Sequence, residues 1–200
     1  MARKKIFIDL DTQVDYCLKG FNRHSSYVDG VTKEVLNNME LIANHAVRSK
    51  IQIIGSVTSN DYESKFCVKG TSGWLKSHET YIKKSLYIQQ HELLSLGTYE
   101  QKLKNAQAIW FEKEGTGSLF SNGNVSEFLS LFGLRDKTDF YVFGIKPTTT
   151  ILDLKQELIA TDTTISFIPS ASCKLSDEEI KIINGCCLTK TIKESTDNEQ

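Results

Sequence analysis

The feature that most constrains this fold is the alternation of short apolar runs with segments of helical period. Five apolar runs are predicted as strands: Lys5–Asp9, Ile51–Val57, Ala108–Lys113, Phe140–Lys146 and Thr164–Pro169. Between the first two, Val31–Lys50 repeats apolar residues every three or four positions, which is typical of an amphipathic helix. Strands that alternate with helices form a mostly parallel sheet covered by helices on both faces. The sequence therefore predicts an α/β fold with three layers, α-β-α.

The carboxyl-terminal third continues the same alternation. Ile151–Ala160 is predicted as a helix, and Asp177–Asn184 as a second helix that Ser176 caps and Gly185 ends. Cys187–Ile192 is predicted as a short edge strand. We find no internal repeat and no linker, so residues 1–193 are expected to form one domain, with residues 194–200 as a polar tail.

Composition excludes several partners. The formal net charge of −1 over 200 residues argues against a nucleic-acid-binding surface. No apolar run approaches the roughly 20 residues that span a bilayer, so no membrane association is expected. The amino-terminal sequence MARKKIFIDLD lacks a small-residue cleavage site and is expected to be the first strand and not a signal peptide.

The cysteines indicate a reducing compartment. Their number is odd and their spacing is not that of a disulfide framework: Cys17, Cys67, Cys173, Cys186 and Cys187. Free thiols are typical of cytoplasmic proteins, because glutathione and thioredoxin keep cysteines reduced there. The sequence therefore predicts a cytoplasmic protein with unpaired cysteines.

Polar residues follow four of the predicted strands, where parallel sheets place their ligands. They are Asp11, Thr58–Asp61, Lys113 and Pro147–Thr150. A carboxylate and an ammonium that face one crevice can form an ion pair and can move protons to a substrate. The alternative is structural, because every α/β sheet carries some charge at its strand ends. Asp9 leaves two possibilities open: it shares a face with Asp11, or it accepts hydrogen bonds from backbone donors.

Four segments at these strand ends resemble one family. Ile8–Cys17 (IDLDTQVDYC) is similar to the V-D-x-Q-x-D-F-C opening of the isochorismatase-like, or cysteine hydrolase, family, which includes nicotinamidases. Phe66–Gly73 (FCVKGTSG) resembles its H-C-V-x-G-T-x-G motif. Phe111–Asn122 (FEKEGTGSLFSN) resembles the segment that carries the catalytic lysine, and Phe143–Thr150 (FGIKPTTT) stands where the family has G-x-A-T-D-x-C. The motifs occur in the family's order between about residues 4 and 192.

This resemblance implies site residues. Asp11 falls on the catalytic aspartate, Lys113 on the catalytic lysine, and Thr150 on the cysteine nucleophile. It also implies an oxyanion hole formed by the backbone amides of Lys146 and Thr150, next to a cis peptide between Ile145 and Lys146. Gln13, Phe66 and Phe120 are expected to line the pocket.

The departures from the family pattern concern its chemistry. A threonine hydroxyl is a far poorer nucleophile than a thiolate unless a general base activates it, so Thr150 is not expected to act as the cysteine does. The family's metal ligands are also absent, because their positions are Thr58, Asn60 and Phe66. A phenyl ring cannot coordinate a metal, and neutral hydroxyl and amide groups are weak ligands. We therefore expect no cofactor and no catalytic metal.

Two functions rank first on this sequence, ahead of covalent hydrolysis with Thr150 as nucleophile and Asp11 as base and of a structural subunit that assembles with an active paralogue. The first is a degenerate, non-catalytic member, or pseudoenzyme, that binds a small molecule or a partner, with a homo-oligomer expected from the family's habit of assembling. The second is a thiol-independent hydrolase of a small metabolite, in which Asp11 supplies a proton, as in isochorismatase chemistry, with Lys113 beside it. The sequence alone leaves open whether the protein is an enzyme.

Overall fold

The computed structural model describes residues 3–18, 28, 30–92, 102–115, 117–132, 134, 137–158, 162–173 and 175–189. Within them the strands are β1 (Lys4–Leu10), β2 (Ile53–Thr58), β3 (Ser85–Ile88), β4 (Ala108–Lys113), β5 (Thr138–Gly144), β6 (Thr164–Ser172) and β7 (Leu188–Thr189). The α-helices of four or more residues with assigned ends are α1 (Val14–Cys17), α2 (Lys33–Arg48), α3 (Asn124–Leu131), α4 (Thr148–Glu157) and α5 (Asp177–Cys186).

The strands form one sheet in the order β3-β4-β2-β1-β5-β6-β7, and every pair in it is parallel. From β1 the chain adds β2 and the edge strand β3, returns to place β4 between them, and then crosses to β5 on the other side of β1. The carboxyl ends of β1, β2, β4 and β5 therefore lie side by side at one edge, where parallel sheets bind their ligands.

Two apolar clusters, one on each face of the sheet, give the protein its three layers. On one face α2 packs Met39, Ile42 and Ala46 against the sheet, with Phe7 and Trp110 among the strand residues. On the other face α3, α4 and α5 pack residues such as Phe128, Leu154 and Ile183 against the sheet. The predicted three-layer α/β fold with a mostly parallel sheet is confirmed.

Helix α2 shows how its sequence sets its boundaries and its buried face. The Thr32 side chain accepts a hydrogen bond from the Val35 backbone amide and so caps the first turn. Met39, Ile42, Ala43 and Ala46 repeat at helical spacing and are buried.

Several element boundaries differ from the sequence prediction. Strand β3 was not predicted, and β5 ends at Gly144, so Lys146 lies beyond it. Helix α5 passes through Gly185 to Cys186, because an exposed glycine inside a helix weakens it without ending it. The predicted cap is confirmed: Ser176 accepts from the Glu179 amide, and the Glu179 carboxylate accepts from the Ser176 amide.

Two predictions extend beyond the described residues. The polar tail, residues 194–200, lies outside them, and so does the end of the predicted edge strand after Thr189. No helix in the described part of the chain is both long and apolar enough to cross a membrane.

Candidate active site

Asp11 stands directly after β1 at the edge of the sheet. Its backbone has a φ of 52°, in the left-handed region, and its amide donates to the Ser56 carbonyl at 3.2 Å. The residue is 7% exposed, so its carboxylate is nearly enclosed while still reaching the surface. The turn after β1 therefore presents one carboxylate at the edge where β2 and β4 also end.

Asp11 and Lys113 form an ion pair. The Lys113 ammonium lies 2.9 Å from Asp11 Oδ2, and its side chain is 1% exposed. The pairing of Thr58 with Lys113 in the β2–β4 register brings the ends of these strands together. The ammonium also donates to Thr58 Oγ1 at 3.2 Å and to the Gly115 carbonyl at 3.0 Å. Three acceptors thus match its three N–H groups.

The second oxygen of Asp11 is also engaged. The Ser56 hydroxyl donates to Asp11 Oδ1 at 2.8 Å, and Thr58 Oγ1 lies 3.4 Å from the same atom. Every contact of this carboxyl group is with a donor, which is the pattern that a carboxylate requires. The strand ends thus hold a closed set of charged and polar side chains.

Thr150 lies in the first turn of α4, at the same edge of the sheet. It is 2% exposed, and its hydroxyl oxygen accepts a hydrogen bond from the Leu119 amide at 3.0 Å. The structure therefore places Thr150 at the edge where Asp11 and Lys113 lie, but its hydroxyl is bound to the turn Leu119–Ser121. None of the contacts found for the Asp11 carboxyl in the described part of the chain involves this hydroxyl.

The expected oxyanion hole has a different arrangement. The peptide bond between Ile145 and Lys146 is trans, so the cis peptide implied by the resemblance is wrong. Lys146 has a φ of 47°, and its backbone N–H lies near the Cys173 thiol. Burial raises the pKa of the Cys173 thiol, and this N–H opposes the rise. The Lys146 amide thus lies beside the thiol that follows β6.

Gln13 is a clamp inside the protein and not a pocket wall. Its side chain is completely buried, and its amide nitrogen donates to the Thr58 and Trp74 carbonyls at 2.9 and 2.7 Å. Its amide oxygen accepts from the Thr58 backbone at 2.7 Å. The prediction that Gln13 lines a pocket is corrected, because no part of this side chain is accessible to a ligand.

The residues at the family's metal positions do not fit a metal ion. The Thr58 hydroxyl accepts a hydrogen bond from the Lys113 ammonium and donates one to the Gly115 carbonyl at 3.0 Å. The Asn60 amide nitrogen donates to the Phe66 carbonyl at 3.0 Å. The Phe66 ring packs edge-on against Tyr16, with centroids 6.0 Å apart. Over the described ranges, no three His, Cys, Asp or Glu side chains come together as a ligand set.

Cys67 is the cysteine whose surroundings include the ion pair. It is fully buried, and burial raises the pKa of its thiol; the charges of Asp15 and Asp11 raise it further, while Lys113 lowers it. The group is therefore a neutral thiol at physiological pH. Because the thiolate is the reactive species, Cys67 does not replace the missing nucleophile.

Phe120 lines a cavity of about 380 Å³ together with Asp153, Gln156 and Glu157. These three residues lie one to two turns farther along α4 than Thr150. The Glu157 carboxylate also accepts from the Ser126 hydroxyl at 3.0 Å. Phe120 thus lines a cavity beside α4. The carboxylates of Asp153 and Glu157, which the sequence analysis did not identify, line the same cavity.

A second buried ion pair was missed by the sequence analysis. Lys76 Nζ lies 3.1 Å from Asp9 Oδ1, and their side chains are 0% and 1% exposed. The two residues are 67 positions apart in the chain, and no local pattern connects them. The sequence leaves two roles open for Asp9. The structure shows a third, because Asp9 is the ion-pair partner of a buried lysine.

Comparisons with known structures agree with this architecture. No protein-family model matches the sequence, and no curated protein matches it significantly. An isochorismatase-like hydrolase of Alkaliphilus metalliredigens is similar in structure, with a TM-score of 0.68, 11% identity and 99% of each chain covered.

Two amidases of the same fold are also similar. For N-carbamoylsarcosine amidase of Thermoplasma acidophilum the TM-score is 0.64 at 13% identity, covering 94% of this chain and 96% of that one. For pyrazinamidase of Pyrococcus horikoshii in complex with zinc it is 0.60 at 12% identity, covering 94% and 99%.

The chain has the isochorismatase-like hydrolase fold. The resemblance inferred from sequence motifs is thereby confirmed at the level of the fold. The Pyrococcus horikoshii pyrazinamidase was solved with zinc, whereas Thr58, Asn60 and Phe66 of this chain are committed to contacts within the protein. Fold and metal chemistry therefore have to be considered separately for this member of the fold.

Proposed function

We propose that this protein is a non-catalytic member of the isochorismatase-like hydrolases, which binds a small molecule or a partner without hydrolysing it. The observation that carries the proposal is the state of Thr150. Its hydroxyl accepts from the Leu119 amide, and the Asp11 carboxylate, which would have to act as its base, is held by Lys113, Ser56 and Thr58. A nucleophile needs a base within hydrogen-bond reach.

The electrostatics at position 150 also support a non-catalytic role. A hydroxyl group is barely ionised at neutral pH, whereas a cysteine thiol has a pKa of about 8.5 before any local lowering. Removing the thiol therefore removes the species that would attack a carbonyl carbon. The Lys146 amide, which the resemblance implies as an oxyanion donor, belongs to a residue with a φ of 47° and lies near the Cys173 thiol.

The alternative is a thiol-independent hydrolase in which Asp11 protonates the substrate. One observation favours it: the Asp11 side chain is 10% exposed and lies at the ligand-binding edge of the sheet. A general acid must carry a proton, whereas the Lys113 ammonium and the Ser56 hydroxyl both donate to Asp11. The non-catalytic proposal is therefore the better supported of the two.

The test is a pair of turnover assays on the purified protein. Ammonia release from nicotinamide and other small amides is measured for the wild type and Thr150→Ala, and vinyl-ether hydrolysis of isochorismate for the wild type and Asp11→Asn. The proposal predicts no enzyme-dependent product in any assay. Ammonia release that Thr150→Ala abolishes would show a working threonine nucleophile, and isochorismate hydrolysis that Asp11→Asn abolishes would establish the alternative.

Location and assembly extend the proposal. All five cysteines are free, which supports a reducing, cytoplasmic environment. A homo-oligomer is proposed on the resemblance alone, and light scattering of the purified protein tests it by its molar mass.

A further inference from the structure

The ion pair between Asp9 and Lys76 is the most deeply buried pair of charges in the described part of the chain. Besides Asp9, the Lys76 ammonium contacts the Ser56 carbonyl at 3.3 Å and stands 4.4 Å above the Trp110 ring. Burial raises the pKa of Asp9, and Lys76 opposes that rise. Such a pair costs desolvation energy, so its contribution to stability alone is a weak reason for its presence.

Hydrogen bonds connect the Asp9–Lys76 pair to the turn that carries Asp11. Asp9 Oδ1 accepts from the Thr12 hydroxyl at 2.6 Å, and Thr12 Oγ1 lies 2.7 Å from Thr80 Oγ1. The Thr12 carbonyl accepts from the Ser77 amide at 2.8 Å. The segment Lys76–Thr80 is thus bonded to the residue after Asp11 through both its side chain and its backbone.

The same pair also reaches Asp11 through β2. Lys76 donates to the carbonyl of Ser56, and the hydroxyl of Ser56 donates to Asp11 Oδ1 at 2.8 Å. The Ser56 carbonyl also accepts the Asp11 amide. Ser56 therefore connects the two ion pairs. The left-handed backbone at Asp11 is held on one side through Thr12, which contacts Asp9, and on the other through Ser56, which contacts Lys76.

We propose that Asp9 and Lys76 are positioning residues, which hold the turn at Asp11 and Thr12 so that the Asp11 carboxylate stays on the Lys113 ammonium. They reach the site through Thr12 and Ser56 and contact no ligand themselves. The inference goes beyond the proposed function, because it concerns the geometry of the ion pair whether the site binds or hydrolyses its ligand.

The test follows the reactivity of Lys113, which the proposal predicts to rise when Asp11 is displaced. Wild type, Asp9→Asn and Lys76→Met are treated with N-hydroxysuccinimidyl acetate, and acetylation at Lys113 is followed by peptide mass spectrometry relative to exposed Lys155. We expect Lys113 acetylation to rise about fivefold in both variants, a factor consistent with coupling inside one polar network. Ser166→Ala, another buried polar deletion on the sheet, is the matched control and should leave the ratio unchanged.

Two further measurements distinguish a positioning role from a general effect on folding. Amide exchange of β4 residues must match the wild type, so that faster acetylation does not reflect global unfolding. If a single variant fails to fold, Asp9→Val combined with Lys76→Met replaces the pair by apolar side chains, which buried ion pairs often tolerate. Folded variants in which Lys113 is acetylated at the wild-type rate would overturn the proposal.

Discussion

Two groups of residues at one edge of the sheet, here called corners, differ in how their polar side chains are bonded. In the carboxylate corner, Asp11 and Lys113 form an ion pair, whereas in the nucleophile corner, Lys146 and Thr150, the Thr150 hydroxyl accepts a hydrogen bond from the Leu119 amide. The carboxylate corner is fixed by the register of β1, β2 and β4, which the whole core supports. The nucleophile corner lies on the short connection between β5 and α4, where the Ile145 amide donates to the Leu10 carbonyl at 2.7 Å. The two corners are thus positioned by different parts of the fold, one by strand register and the other by a single connection.

The largest expected effect is in the carboxylate corner. Asp11→Ala leaves the buried Lys113 ammonium without its counter-charge, and we expect a loss of about 3–5 kcal/mol in the free energy of unfolding. Urea denaturation of the variant and the wild type at pH 7 measures it. A loss below about 1 kcal/mol, the range of exposed pairs, would show that Lys113 finds other partners and that this corner is not tightly coupled.

The second-largest loss of stability is expected at Gln13, whose buried side chain is hydrogen-bonded to the backbone of Thr58 and Trp74. Gln13→Leu removes three hydrogen bonds to the backbone of Thr58 and Trp74 and leaves those buried groups unpaired. We expect a loss of about 2–3 kcal/mol, set by the cost of unsatisfied buried groups. Denaturant titration checks the value, and Gln89→Leu on the exposed surface is the control. A variant as stable as wild type would mean that water replaces the amide.

A smaller loss of stability is expected at Thr150, whose substitution should change no enzymatic activity. Thr150→Val keeps the shape of the side chain but leaves the Leu119 amide without its acceptor, so a loss of about 1–2 kcal/mol is expected. Thermal unfolding at matched protein concentration measures it, with Thr150→Ser, which keeps the hydroxyl, as the control. If serine costs more than valine, methyl packing and not the hydrogen bond determines the effect.

The smallest effect is a pH dependence in the nucleophile corner. Hydrogen bonds from the Ser176 backbone lower the pKa of Glu179, whose carboxylate also accepts from Thr148 in the first turn of α4. A lowered pKa contributes stability above the unfolded-state value, and that contribution is lost as the pH falls through the folded-state value.

We therefore expect Glu179→Gln to cost about 0.5 kcal/mol at pH 7, because the group is partly exposed, and less at pH 3. Unfolding curves at the two pH values give the comparison. A loss that is equal at both would assign the effect to side-chain shape and not to charge.

Sequence periodicity was sufficient for the order of the layers and for most strands. The run Ala108–Lys113 was predicted with the bounds of β4, because it is apolar, rich in aromatic residues and buried throughout. Strand β3 was missed, since Ser85–Ile88 is four residues long, only partly buried and preceded by two lysines. Short edge strands take their conformation from a neighbour, which local sequence does not specify.

The site was predictable as positions but not as contacts. Strand-end placement and motif spacing identified Asp11 and Lys113, which the structure brings together at 2.9 Å. Neither signal could show that Gln13 faces inward, because its partners Thr58 and Trp74 are 45 and 61 residues away. The Asp9–Lys76 pair escaped for the same reason, and both depend on how the segment before β3 folds back over β1.

The most direct test of the central claim, that the nucleophile corner has lost more than its thiol, is to restore that thiol. Thr150→Cys is assayed for ammonia release from nicotinamide and for its alkylation rate by iodoacetamide against pH. We predict a thiol that is alkylated but no ammonia release, because the side chain at position 150 faces the Leu119 amide and the metal positions hold Thr58, Asn60 and Phe66. Efficient nicotinamide hydrolysis by Thr150→Cys would contradict the account, because the site would then lack only one sulfur atom.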